Sequence, residues 1–211
     1  MPERNVKTTS KLLTDFKNLA VRENEGKEII QKITKKDAEV VIDPTFLLAK
    51  EEWKQFVKEP VLNKKYIVAY MINAKKEIFD FIDDMADKEG LEIVYISDFI
   101  KKHNNRKVIS IKDASPEEFL NLIYNAEYVV TGSFHAICMS IILEKNFYYM
   151  LNDNNVNSRL TNLVKMAGLE DRAIKENKFI KKDNINYEEV NNKLNNIIEK
   201  SKEILNNIIE E

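Results

Sequence analysis

The chain has 211 residues, 44% hydrophobic and 32% charged, with a formal net charge of −2. That is enough apolar chain to bury a full core and to exclude wholesale disorder, and the near-balanced charge leaves no global basic field for nucleic acid. A single cysteine, Cys138, excludes an internal disulfide and a cysteine-based zinc site, and two histidines, His103 and His135, argue against a His-rich metal site.

No apolar run approaches the roughly 20 residues that a membrane span needs. The first residues, Met1-Pro2-Glu3-Arg4-Asn5, carry no signal-peptide core, so the expected location is the cytoplasm. Four glycines and four prolines are too few for a Gly- or Pro-rich linker.

Strands and helices are expected to alternate along the chain. After a lead-in over 1–17, the apolar run at 18–22 reads as a short strand. A helix follows over 24–35, with Ile29, Ile30 and Ile33 on one face. Residues 38–42 read as a β-branched strand stopped by Asp43-Pro44. Trp53, Phe56 and Val57 at helical spacing predict a helix over 51–58.

Tyr66 to Ile72 is a continuous apolar run, the pattern of a strand buried on both faces. A helix over 75–88 carries Ile78, Phe79, Ile82, Met85 and Ala86, and Gly90 stands where its C-cap belongs. Strands are expected at 91–96 and 108–111, separated by a short helix and polar loop over 98–106. Ser115-Pro116-Glu117-Glu118 is a helix start with a capping box, and that helix should run to about Asn125.

Tyr128 to Thr131 reads as a strand, Gly132-Ser133 as a break, and 134–143 as a helix. A strand at 147–151, a loop at 152–157 and a helix at 158–166 ending at Gly168 follow. The tail from Tyr187 is a long amphipathic helix with Val190, Leu194 and Ile197 on its apolar side. Repeated βα units of this length imply one doubly wound α/β domain with a mainly parallel, Rossmann-like sheet of about six strands. The expected organisation is a lead-in over 1–17, the domain over 18–186 and the C-terminal helix over 187–211. That helix should pack on the domain or on a partner, a homodimer included.

In an open parallel sheet, ligands bind beyond the carboxyl ends of the strands. That rule selects Arg22-Glu23, Asp43, Asn73, Ser97-Asp98, the 131–135 turn and Asn152, all expected along one edge. In the turn, Gly132 permits a sharp reversal, Ser133 can cap the helix, and the first-turn amides form an anion pocket. His135 in that first turn can donate to an anion or act as general acid; the alternative is a plain capped helix with an incidental histidine.

Arg22 can hold a carboxylate or phosphate bidentately, or else pair with Glu23 or Glu25. Arg159 either closes over the same edge or is solvated. His103 reads as a surface residue, Cys138 as core and Asp83-Asp84 as a solvated helix face. No metal-binding constellation is present in this set.

Four segments, in order, resemble the polysaccharide pyruvyl transferase family. They are Ala-Val-Arg-Glu at 20–23, Val-Val-Ile-Asp-Pro-Thr-Phe-Leu-Leu at 40–48, Ala-Glu-Tyr-Val-Val-Thr-Gly-Ser-Phe-His-Ala at 126–136, and Asn-Ser-Arg-Leu at 157–160. The resemblance covers about residues 15–172 and corresponds to the C-terminal half of a typical member, which has two Rossmann-like domains in the GT-B arrangement.

It implies transfer of pyruvate from phosphoenolpyruvate to a sugar of a cell-surface or exopolysaccharide as a ketal. No cofactor is needed, and the acceptor contacts would come from an N-terminal domain missing here. On this resemblance Arg22 and His135 are the catalytic residues, and Gly132, Ser133, Phe134 and Arg159 bind substrate, with Arg22 and His135 converging on one anion pocket. Two other readings stay open: a GT-B glycosyltransferase domain binding a nucleotide sugar on the same turn, and a binding module without catalysis.

Overall fold

A computed structural model describes residues 3–60, 62–71, 76–96, 108–151 and 157–210. Its contacts divide the chain into two compact units, Met1–Leu47 with Asn191–Glu211, and Leu48–Val190.

The Leu48–Val190 unit holds a five-stranded parallel sheet. Its strands are β3 (Tyr66–Tyr70), β4 (Glu92–Ile96), β5 (Ile109–Ile111), β6 (Tyr128–Thr131) and β7 (Asn146–Tyr149), in the order β5-β4-β3-β6-β7. The run at 66–72 behaves as its pattern demands: Ile67, Val68 and Ala69 have no exposed surface, and β3 lies at the centre of the sheet.

Its side chains alternate between two layers. Ile67 and Ala69 join a core cluster with Ile78, Ile82 and Met85 of α4 (Lys76–Glu89). On the other side the Tyr66 hydroxyl donates to the Leu122 carbonyl of α5 (Pro116–Asn125) at 3.0 Å. The order reverses between β3 and β6, the switch point of a doubly wound sheet, so the carboxyl end of β6 is where a ligand cleft is expected.

The start of α5 forms as its sequence requires. Glu118 N–H donates to Ser115 Oγ at 3.2 Å, and Ser115 N–H donates to the Glu118 carboxylate at 2.8 Å. Gly90 and Gly168 take positive φ, 66° and 69°, at the ends of α4 and of α7 (Ser158–Ala167). Helix α3 (Lys50–Lys54) is shorter than the predicted 51–58. Phe56 and Val57 instead bond to carbonyls three residues back, the tight turn with which helices commonly end.

The other unit is built differently. Residues 1–17, expected only as a lead-in, contain α1 (Glu3–Thr14), which packs on α2 (Asn24–Thr34). Ser10 Oγ donates to the Ile33 carbonyl at 2.7 Å, and Lys36 Nζ closes the end of α1 by donating to the carbonyls of Thr14 and Phe16. Ile29, expected on the buried face of α2 with Ile30, is half exposed.

Strands β1 (Ala20–Val21) and β2 (Glu39–Val40) pair in parallel as a separate two-stranded sheet. The expectation of one sheet of about six strands is corrected accordingly. Each short strand has the right local pattern, but local pattern carries no information about which sheet a strand joins. Helix α8 (Tyr187–Glu210) buries Val190 and Leu194, as its apolar stripe predicted, and Ile197 partly. The boundary between the units falls within it. In the first unit, Ser201 of α8 donates to the Ile197 carbonyl at 2.6 Å and accepts from the Ile42 amide at 2.9 Å.

Candidate functional site

Strand β6 delivers the 131–135 turn directly to α6 (Phe134–Ile142). Thr131 has no exposed surface, and its hydroxyl works in both directions: Oγ1 donates to the Tyr70 carbonyl at 2.6 Å and accepts from the Ser133 amide at 3.0 Å. The turn is therefore locked to the end of β3. Ser133 stands at the N-cap in extended backbone, but its side chain makes no capping bond, contrary to expectation. Its amide and carbonyl do the structural work instead: the amide bonds Thr131, and the carbonyl accepts from Ile137 at 3.1 Å. Gly132 is buried and does not take positive φ, so its role is not a left-handed turn.

Beyond the turn, the expected binding residues come together. Phe134 is half-buried and His135 exposed, and their rings meet edge to face at 5.5 Å between centroids. The Arg159 guanidinium, from the first turn of α7, lies over the Phe134 ring with Cζ 5.4 Å from the centroid. That is cation–π distance, an attraction of about 0.5–1 kcal/mol at a partly exposed site. The start of α6 thus carries an imidazole and a guanidinium beside first-turn amides that a helix cannot satisfy internally. Such a surface suits an anion. The buried Cys138 on the same helix is core, as its apolar surroundings predicted.

Arg22 follows β1, and its partner is neither Glu23 nor Glu25. Arg22 Nη1 donates to Asp43 Oδ2 at 2.6 Å, the carboxylate side chain being 3% exposed and the arginine side chain 39%. Asp43 Oδ1 accepts from the Thr45 amide at 3.1 Å and from the Thr45 hydroxyl at 2.9 Å. Burial by itself would raise the Asp43 pKa. The bonds from Arg22 and Thr45, with the Arg22 charge, outweigh it and hold the carboxyl below its ordinary 3.8.

Arg22 and Asp43 follow strands of the two-stranded sheet, whereas His135 follows one of the five-stranded sheet. The expectation that all these residues follow one sheet is corrected. Sequence reasoning had named Asp43 only as a strand end. The signal it missed was Asp-Pro-Thr, in which the carboxylate can bond the amide two residues on.

Asn73, Ser97, Asp98, His103 and Asn152 lie outside the described residues. A cavity of about 260 Å³ lined by Phe81, Tyr148, Ile174, Lys178 and Lys182 is lined by none of the expected site residues. Among the described residues no group of three or more His, Cys, Asp or Glu could hold a metal, and no helix is long and apolar enough to cross a membrane.

Two solved structures of the UDP-GlcNAc 2-epimerase from Methanocaldococcus jannaschii are similar in fold. One, in complex with UDP-GlcNAc and UDP, is 14% identical with a TM-score of 0.52, the match covering 86% of this chain and 54% of that one. The other is 15% identical with a TM-score of 0.50, covering 86% and 55%. The chain thus spans about half the length of these structures, and its α/β architecture is that of a GT-B-type domain. No curated protein matches it. The sequence model of the polysaccharide pyruvyl transferases matches residues 1–154, a stretch that contains Arg22, Asp43 and the Thr131–His135 turn and stops short of Arg159. With nearly three quarters of its length matched, and the quoted motifs within the match save the Arg159 segment, the chain belongs to the polysaccharide pyruvyl transferase family.

Proposed function

We propose that this chain supplies the donor-binding part of a pyruvyl transferase, taking phosphoenolpyruvate as donor and passing pyruvate to a sugar or glycan-precursor acceptor as a ketal. The observation that carries this reading is the grouping of His135, Phe134 and Arg159 at the start of α6. Phosphoenolpyruvate brings a phosphate and a carboxylate, and both require cationic or N–H donors. In this reading the first-turn amides of α6, from Phe134 on, hold phosphate, Arg159 adds charge, and His135 protonates the departing phosphate. Arg22 is read as a separate anion-binding group, on the strength of its charge and its partly exposed side chain. Acceptor contacts would come from a further domain, and the cytoplasm is the proposed location.

The test is calorimetric titration of the chain with phosphoenolpyruvate and, separately, with UDP-GlcNAc. Binding of phosphoenolpyruvate that weakens with salt and is lost in His135→Ala and Arg159→Ala supports the reading. Binding of the nucleotide sugar alone would favour a glycosyltransferase domain instead. In a complete, active protein, His135→Ala should lower turnover by roughly 100-fold or more if the imidazole is the general acid.

A further inference from the structure

Asp43 is a buried carboxylate with every oxygen committed. Oδ2 is held by Arg22 and Oδ1 by the amide and hydroxyl of Thr45. Its backbone is fixed on both sides. The Asp43 carbonyl accepts from the Phe46 amide at 3.0 Å within the 3-10 turn Pro44–Leu47, and the preceding amide, of Ile42, is anchored on Ser201.

Burying the carboxylate of an ion pair costs much of what the pair's attraction returns, so stability alone is a poor reason to build one. Order is a better reason. An arginine at the end of a two-residue strand samples many rotamers, and each must be frozen out when a ligand binds. Here one of five guanidinium N–H donors is spent on a rigid carboxylate, and the side chain remains 39% exposed.

We propose that Asp43 is a positioning residue that holds Arg22 in one conformation and presents the outer edge of its guanidinium, preformed, to a carboxylate or phosphate. The inference rests on the reading of Arg22 as an anion-binding group.

The test uses the full chain, ¹⁵N-labelled on arginine side chains, with Arg22→Ala, Asp43→Asn and the double variant. Asparagine keeps an acceptor for Thr45. The Arg22 Nε–H resonance, identified by its loss in Arg22→Ala, should be rigid in the native chain and mobile in Asp43→Asn. Phosphoenolpyruvate binding should weaken about tenfold in Asp43→Asn, the worth of one charge-assisted bond. The double variant should be no weaker than Arg22→Ala alone.

An Arg22 as rigid in Asp43→Asn as in the native chain, or losses that add, overturns the proposal. Should Asp43→Asn fail to fold, Thr45→Ala removes one bond to the carboxylate and should mobilise Arg22 to a smaller degree; an unchanged resonance there overturns it as well. Binding that is lost in Arg22→Ala yet intact in Asp43→Asn rejects positioning and leaves the donor reading standing. A chain that ignores phosphoenolpyruvate while Asp43 still orders Arg22 rejects the donor reading and leaves positioning standing.

Discussion

Replacing Thr131 by valine changes one hydroxyl for one methyl and should be far more damaging than its size suggests. The native hydroxyl, with no exposed surface, satisfies the Tyr70 carbonyl and the Ser133 amide together. Valine fills the same space and satisfies neither. A buried polar group left without its bond costs about 1–3 kcal/mol. The carbonyl has a second lone pair and loses less than the amide, so the sum is about 2–4 kcal/mol. Thr131→Ser is the control: it keeps both bonds and gives up one methyl, about 1 kcal/mol. Trp53 is the sole tryptophan and lies in the Leu48–Val190 unit, so urea unfolding followed by its fluorescence reports this unit. The expected order is native, then serine, then valine, with valine lowest by at least 1 kcal/mol. A valine variant as stable as the serine variant would refute the account of the turn. The same variant should also weaken anion binding, because the turn into α6 would lose the bond that locks it to the end of β3.

Three further outcomes are expected. Ser115→Ala should cost about 1 kcal/mol by the same urea assay, because that side chain caps α5, whereas Ser133→Ala should cost under about 0.5 kcal/mol, because its side chain caps nothing. Asp43 has a folded pKa below 3.8, so its contribution is present above that value and disappears as pH falls through the lower folded one; urea midpoints read across this window by far-UV circular dichroism, since Trp53 lies in the other unit, should fall less steeply in Asp43→Asn than in the native chain. Leu194→Ala, at a site 1% exposed, should cost about 2–5 kcal/mol and should accelerate hydrogen exchange at the Ile42 amide, which is bonded to the same helix.

What could be read from the sequence divides along physical lines. Signals written in neighbouring residues were legible: the Ser115-Pro116-Glu117-Glu118 box, the apolar run of β3, and the glycines at 90 and 168 that take left-handed φ. The turn into α6 was legible for the same reason, since strand end, glycine and helix start are adjacent. Pairings between distant residues were not. Nothing near Arg22 distinguishes Asp43 from the nearer Glu23 or Glu25; only the folded strands bring the more distant carboxylate to 2.6 Å. The stacking of Arg159 on Phe134 has the same character, because it depends on how α7 packs against α6. Helix α2 shows a local limit too. It ends on Lys35 at φ 64°, a position where glycine is the usual signal and none is present.

The bond between the Ile42 amide and the Ser201 hydroxyl has a consequence for the order in which the chain is made. It joins residues 159 apart, and the unit it closes draws on Met1–Leu47 and Asn191–Glu211. On the ribosome the early segment emerges while its closing helix is still untranslated. At about 5–20 residues per second the delay is about 7–30 s. All of Leu48–Val190 is synthesised in that interval, so the five-stranded sheet can form first, and the unit bearing Arg22 and Asp43 is completed last. Ribosome-bound chains stalled before Ser201 should therefore be cut by protease within the first 47 residues and resist it across the sheet. Equal resistance in both segments would show that the early residues fold without their closing helix.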